Sequence, residues 1–396
     1  MNYERVLNRT LHELPPSGIR RFFNIANEID ADDMISLSIG EPDFATPWHI
    51  REQGIASLEG GKTWYTANAG LQRLRDAISA HIDRTCGVSY DPKSEVLVTV
   101  GGSEAIDLAI RAVVNPGDEV LVPAPSFVCY EPLTAMAGGV PVSIVTRAEN
   151  GFRLTAEELR AAITPRTKLL ILPFPNNPTG AVMRRRHLEA LAEVLRGTDI
   201  MVLSDEIYSA LTYGSEPHVS PAEVDGLRER TLMVNGFSKA YAMTGWRLGY
   251  VCGPQEVMQQ LVKLHQYAIM CAPTTAQYAA IEAMEHGDED VLHMREEYDA
   301  RRRLILKELN GMGMTCFEPE GAFYVFPSIA VSGLSSEEFC ERLLREHHVA
   351  IVPGTAFGAG GEGFVRISYC YSVPHIVEAM KRIRAFLDKL ESEKQG

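Results

Sequence analysis

The run Gly236-Phe237-Ser238-Lys239-Ala240-Tyr241-Ala242-Met243-Thr244-Gly245-Trp246-Arg247-Leu248-Gly249 sets a lysine among apolar and small residues, just after the apolar run Leu232-Met233-Val234. A lysine in such company is expected to lose part of its water. Desolvation disfavours the ammonium form, so its pKa falls and the nitrogen becomes a nucleophile. Arg247 adds a fixed positive charge that is expected to lower that pKa further. Lys239, Arg247 and Ser238 together make a docking place for an aldehyde that carries a phosphate. The ordinary alternative is a solvated lysine on a loop.

Two runs upstream supply what such an aldehyde needs if it is pyridoxal phosphate (PLP). Ile200-Met201-Val202-Leu203 reads as a strand and ends in Ser204-Asp205-Glu206-Ile207-Tyr208. Open α/β sheets bind ligands at the carboxyl ends of their strands. A carboxylate there keeps a pyridine nitrogen protonated and makes the ring an electron sink. Asp205 is the expected carboxylate because it directly follows the strand; Glu206 is the competitor and must face away. Tyr208 is close enough in sequence to donate its phenol to the ring oxygen. Lys168-Leu169-Leu170-Ile171-Leu172 is a second apolar strand, followed by the turn Pro173-Phe174-Pro175-Asn176-Asn177-Pro178-Thr179-Gly180. Such turns also arise for purely local reasons. Its place after a strand makes Asn177 a second candidate donor to the ring oxygen.

Asn177-Pro178-Thr179-Gly180, Ser204 to Tyr208, and Ser238-Lys239 with Arg247 resemble the class I/II aminotransferases, the aspartate-aminotransferase-like, fold-type I PLP enzymes. The resemblance runs from Ile39-Gly40-Glu41-Pro42-Asp43-Phe44 to Phe364-Val365-Arg366-Ile367-Ser368. It implies that Lys239 forms a Schiff base with PLP, that Asp205 and Tyr208 assist, and that Gly102, Ser103, Ser238 and Arg247 hold the phosphate. It also implies that Phe127 stacks on the ring, that Tyr65 reaches the phosphate of a neighbouring subunit in a homodimer, and that Arg366, with Gly40 and Asn177, binds the substrate carboxylate. Read without the resemblance, Gly101-Gly102-Ser103-Glu104 is equally a tight turn with a serine N-cap. Phe127 would then be core, and Arg366 a surface arginine. Some relatives carry a serine where Gly236 stands, so one phosphate contact is missing or replaced.

The implied activity is transfer of an amino group from an L-amino acid to a 2-oxo acid such as 2-oxoglutarate, by a ping-pong course through Lys239. Same-fold alternatives are a carbon–sulfur β-lyase and an aminocyclopropane-carboxylate-type synthase; a non-catalytic PLP-fold ligand sensor is a further one. Arg20 and Arg21 are the candidates for reading a second substrate carboxylate, because no Arg or Lys occurs between Gln266 and Gln277. Aspartate, aromatic, branched and acylated diamino acids stay open as donors.

Composition agrees with a globular enzyme. The 396 residues are 45% hydrophobic and 23% charged, with a formal net charge of -14. That charge argues against nucleic-acid or membrane-surface binding. Seven cysteines without a Cys-x-x-Cys pair read as reduced thiols of a cytoplasmic protein. No metal site is expected; His347-His348 reads as a helix end. Arg184-Arg185-Arg186 and Arg301-Arg302-Arg303 read as solvated helix faces.

Strands are expected at 96–100, 119–122, 140–145, 168–172, 200–203, 231–235 and 250–252. Helices are expected at 103–114, after a capping box at Thr155-Ala156-Glu157-Glu158, and at 187–195. This alternation predicts an α/β fold with a mostly parallel seven-stranded sheet covered by helices on both faces. Beyond about Glu285 a long charged helix leads to a smaller α+β region, with a strand at 322–326 and a helix capped by Ser335. The resemblance implies a large PLP-binding domain over 48–285 and a small domain made of 1–47 and 286–396.

Overall fold

Seven apolar segments form one sheet: β2 (Val96–Thr99), β3 (Glu119–Ala124), β4 (Val140–Val145), β5 (Thr167–Leu172), β6 (Met201–Asp205), β7 (Thr231–Gly236) and β8 (Gly249–Cys252). A short strand, β1 (Ile35–Ser36), precedes them. These coordinates are a computed structural model that describes residues 1, 3–16, 18 and 33–395. The sheet order is β2-β8-β7-β6-β5-β3-β4. Neighbours from β7 through β4 pair in parallel, and β8 pairs antiparallel with both β7 and β2. The carboxyl ends of β2, β3, β4, β5, β6 and β7, and the amino end of β8, therefore meet along one edge.

Helices cover both faces, as the apolar runs on both sides of each strand require. On one face lie α2 (Trp48–Glu59), α3 (Gln72–Cys86) and α9 (Thr274–His286), with Leu74, Ile78 and Ile82 of α3 buried at a four-residue spacing. On the other lie α4 (Gly101–Val113) and α8 (Gln255–Ala268). Helix α6 (Ala156–Ala162) opens with the expected capping box between Thr155 and Glu158. Helices α1 (Arg9–Glu13), α5 (Tyr130–Met136) and α7 (Arg185–Leu195) complete this part.

A separate core gathers around α10 (Asp288–Gly311), α11 (Ser336–His347) and α12 (Val373–Gln395). Its strands are β9 (Tyr324–Val325), β11 (Val352–Pro353) and β12 (Val365–Ser368), ordered β11-β12-β9, with β10 (Val349–Ala350) pairing in parallel with β1. Ile35 and Leu37 are buried in this core. Ser335 caps α11 by accepting from Glu338 N–H, and the helix ends at His347. The strand expected over 322–326 is confined to two residues of β9, because β12 offers partners to only those two.

The two arginine triplets correct the expectation of solvated faces. Arg301 and Arg302 are buried. Arg301 Nη1 donates to Asp43 at 2.8 Å, and Arg302 donates to Asp299 and Glu318. Arg184 is nearly buried and pairs with Glu320, which also takes Arg153. In each case a carboxylate on a packed neighbour draws the guanidinium inward; Arg185, Arg186 and Arg303 are exposed.

Strand β8 passes directly under the first turn of α4. A methyl on Gly249 would meet the carbonyl carbon of Gly101 at 2.6 Å and the nitrogen of Gly102 at 2.7 Å. Backbone on both sides leaves little room to yield. Gly249→Ala is therefore expected to cost about 1–3 kcal/mol of stability, seen as a lower thermal midpoint. An unchanged midpoint would show that this contact does not constrain the fold.

Candidate active site

The shared strand edge opens into a cavity of about 430 Å³. Eleven of the residues singled out from sequence line it: Gly40, Gly102, Ser103, Phe127, Asn177, Asp205, Tyr208, Ser238, Lys239, Arg247 and Arg366. They come from loops far apart in sequence, brought together because their strands run the same way.

Lys239 lies three residues beyond β7. Its Nζ donates to the Gly40 carbonyl at 2.8 Å, and the rings of Phe323 and Tyr208 lie 5.8 and 6.0 Å away. Burial pulls the ammonium down to about 8, opposed by the charges of Cys370 and Glu41 and helped least by Arg247. The arginine expected to share that task is thus a minor contributor; loss of water dominates.

Asp205 ends β6 and faces the cavity. Its carboxylate accepts from the Tyr130 hydroxyl at 2.7 Å and from Ile207 N–H at 3.2 Å. Burial raises its pKa, while those two hydrogen bonds favour the charged form. Glu206 points the other way, accepting from Ser204 and Ser220 and pairing with His218 at 2.8 Å. Each of the two adjacent carboxylates therefore has its own environment. The Tyr208 hydroxyl shares a 2.8 Å hydrogen bond with that of Tyr324.

At the α4 end of the cavity, the Ser103 and Ser238 hydroxyls have no hydrogen-bond partner among the described residues. Arg247 donates Nη1 to the Thr244 carbonyl, and its other terminal nitrogen lies against Gly101, whose φ of +75° suits glycine. The helix starts at Gly101 with no side-chain cap from Val100, so Ser103 is inside the first turn and is not an N-cap. This cradle of amides, hydroxyls and a guanidinium fits a phosphate. Gly236 cannot simply be exchanged for serine, since its Cβ would lie 3.0 Å from Gly249 Cα.

Across the cavity, buried Arg366 donates to Asn177 Oδ1 at 3.0 Å and to the Ser38 carbonyl, and stacks on the rings of Tyr324 and Phe357. Its Nε is buried without a partner. Arg366 is thus no surface arginine. Phe127 is half-buried, edge-on to Tyr130, and lines the cavity. Tyr65 is 77% exposed and outside it. Arg20 and Arg21 lie outside the described residues. Sequence reasoning missed Tyr130 and Tyr324; their only signal was an aromatic after β3 and another within Ala322-Phe323-Tyr324-Val325-Phe326.

The family model for "Aminotransferase class I and II" matches residues 32–383. An aspartate aminotransferase of Pyrococcus abyssi is 46% identical, with 94% of this chain and 96% of that one covered. An aromatic-amino-acid aminotransferase of Thermococcus litoralis is 44% identical, covering 96% and 98%. The structure of a Thermus thermophilus aspartate aminotransferase with maleate superposes with a TM-score of 0.91 at 40% identity, covering 96% and 99%. This agreement extends over both cores and every segment of the cavity. The chain therefore belongs to the class I and II aminotransferases, enzymes that depend on pyridoxal phosphate and act on small amino and oxo acids.

Proposed function

We propose that this enzyme moves an amino group from an L-amino acid to a 2-oxo acid, with 2-oxoglutarate as acceptor, by a ping-pong course in which PLP is carried on Lys239. The observation that carries this reading is a desolvated lysine amine, held by the Gly40 carbonyl, in one cavity with buried Asp205. When bound, PLP supplies an aldehyde carbon for the amine and a ring that accepts electrons. Asp205, whose charged form Tyr130 and Ile207 favour against burial, would hold a proton on the ring nitrogen. Tyr208, hydrogen-bonded to Tyr324, and Nδ2 of Asn177 would donate to the ring oxygen, and Phe127 would pack on the ring. Gly102, Ser103, Ser238 and Arg247 take the phosphate.

Arg366, oriented by Asn177 and Ser38, clamps the substrate carboxylate beside Gly40. Lys239 Nζ would serve as the base that takes the proton from the substrate Cα. Supporting a homodimer with shared sites, Tyr65, Trp64, Tyr267 and Met270 are all exposed, and hydrogen bonds from Asn68 to the Met270 carbonyl and from Thr274 to the Trp64 carbonyl tie their two segments together; exposed apolar side chains there suit a second subunit. The division into 48–285 and 1–47 plus 286–396 is proposed on the cluster around α10, α11 and α12, which Ile35 and Leu37 join. A cytoplasmic location is proposed on the seven cysteines, all free.

Initial rates measured with varied donor and 2-oxoglutarate are expected to give parallel double-reciprocal lines, with activity on aspartate or an aromatic amino acid. Release of ammonia without an oxo-acid acceptor would instead identify a lyase. Asp205→Asn is expected to lower kcat on the order of 10²–10³-fold, as loss of an electrostatic partner at a reacting centre does; near-normal turnover would remove Asp205 from its role.

The rate of covalent PLP uptake by the apo-protein tests Lys239 by pH. With a pKa of about 8, uptake is expected to rise about fivefold from pH 7 to pH 8 and to level off by about pH 9, as the neutral amine fraction does. A tenfold rise per unit continuing past pH 9 would mark an ordinary solvated lysine.

A further inference from the structure

The phosphate cradle has a buried support that the reaction scheme does not use. His265, in the last turn of α8, is fully buried, and its Nδ1 lies 2.7 Å from Glu104 Oε1. The other oxygen of Glu104 accepts the N–H of Val100, the residue before α4. His265 Nε2 is buried with no partner. An unpartnered buried nitrogen lowers stability, and an apolar side chain of similar size would avoid that loss. Packing alone therefore does not account for an imidazole here.

The place of Glu104 does. It follows Gly102 and Ser103 in the first turn of α4, yet it does not line the cavity that those two line. A carboxylate in that turn draws on the same helix-end field that an anion would use, and it repels a phosphate docked there. A donor on its outer oxygen offsets that charge and holds it behind the turn. We propose that His265 and Glu104 form a positioning pair for the cofactor phosphate. Through Val100 the pair sets the Gly101–Ser103 turn, and through the imidazole N–H it keeps the Glu104 charge from opposing the phosphate. This inference rests on the reading of that turn as the phosphate site.

The test is titration of the apo-protein with PLP and, separately, with pyridoxal, which lacks the phosphate, each followed by visible absorbance and alongside thermal melts. His265→Ala is expected to weaken PLP about tenfold while changing pyridoxal by less than about twofold, because only the phosphate meets the uncovered charge. Adding Glu104→Gln removes that charge, keeps an acceptor for Val100, and is expected to return PLP affinity to within about threefold of the wild type. Equal losses for both aldehydes, or a double variant no better than His265→Ala, would overturn the pair's role. If His265→Ala does not fold, Glu104→Gln alone decides. It is expected to bind PLP at least as tightly as the wild type, with pyridoxal unchanged, and weaker PLP binding overturns the proposal. A wild-type protein that binds pyridoxal as tightly as PLP would instead overturn the phosphate-site reading itself.

Discussion

Lys239, Asp205 and Arg366 are held away from bulk water in a single cavity, and none of them is fully partnered by protein. Taking a charge out of water costs free energy unless hydrogen bonds or opposite charges replace the lost solvent. Here the replacement is partial. The lysine has one carbonyl, the aspartate a phenol and an amide, and the arginine an amide oxygen and a carbonyl with Nε left over. What remains unsatisfied is complementary to a ligand that brings a carbonyl carbon, a protonated ring nitrogen and a carboxylate. Residual polar demand of this kind is what a binding site retains at the expense of stability.

That cavity exists because strand polarity is uniform apart from β8. Six strands end at the same edge, so segments from Gly101 to Ser238 converge there although more than a hundred residues separate them. The antiparallel β8 brings Arg247 to the same edge from the opposite direction. Its passage under α4 is tight enough to require Gly249, which ties the cradle at the helix start to the sheet beneath. Behind β6, the Glu206 network with Ser204, Ser220 and His218 decides which of two adjacent carboxylates turns inward.

Charged and polar ties frame the same cavity. Asp43 with Arg301 secures the loop that carries Gly40, and Glu320 with Arg153 and Arg184 secures the turn that carries Asn177. Arg366 closes the frame through Asn177 and Ser38. Side chains that read in sequence as solvated arginines are thus the ones that hold the loops in register.

Local sequence determined the seven strands of the large sheet, some of the helix starts and part of the cavity's chemistry. An apolar run with a polar residue at its carboxyl end needs no distant information, and neither does the Thr155 capping box or a lysine flanked by small and apolar neighbours. The strand alternation was enough for fold class, local context for Lys239, Asp205 and Asn177 as candidates, and the family resemblance for Arg366. Only the tertiary structure decided which partners those groups have. Tyr130 on Asp205, Tyr324 on Tyr208, His265 on Glu104, and the burial of Arg301 and Arg302 all join residues far apart along the chain. Hydrogen bonds and desolvation depend on distance in space, and a periodicity of two or 3.6 residues carries no information about which distant element will pack on a given side chain.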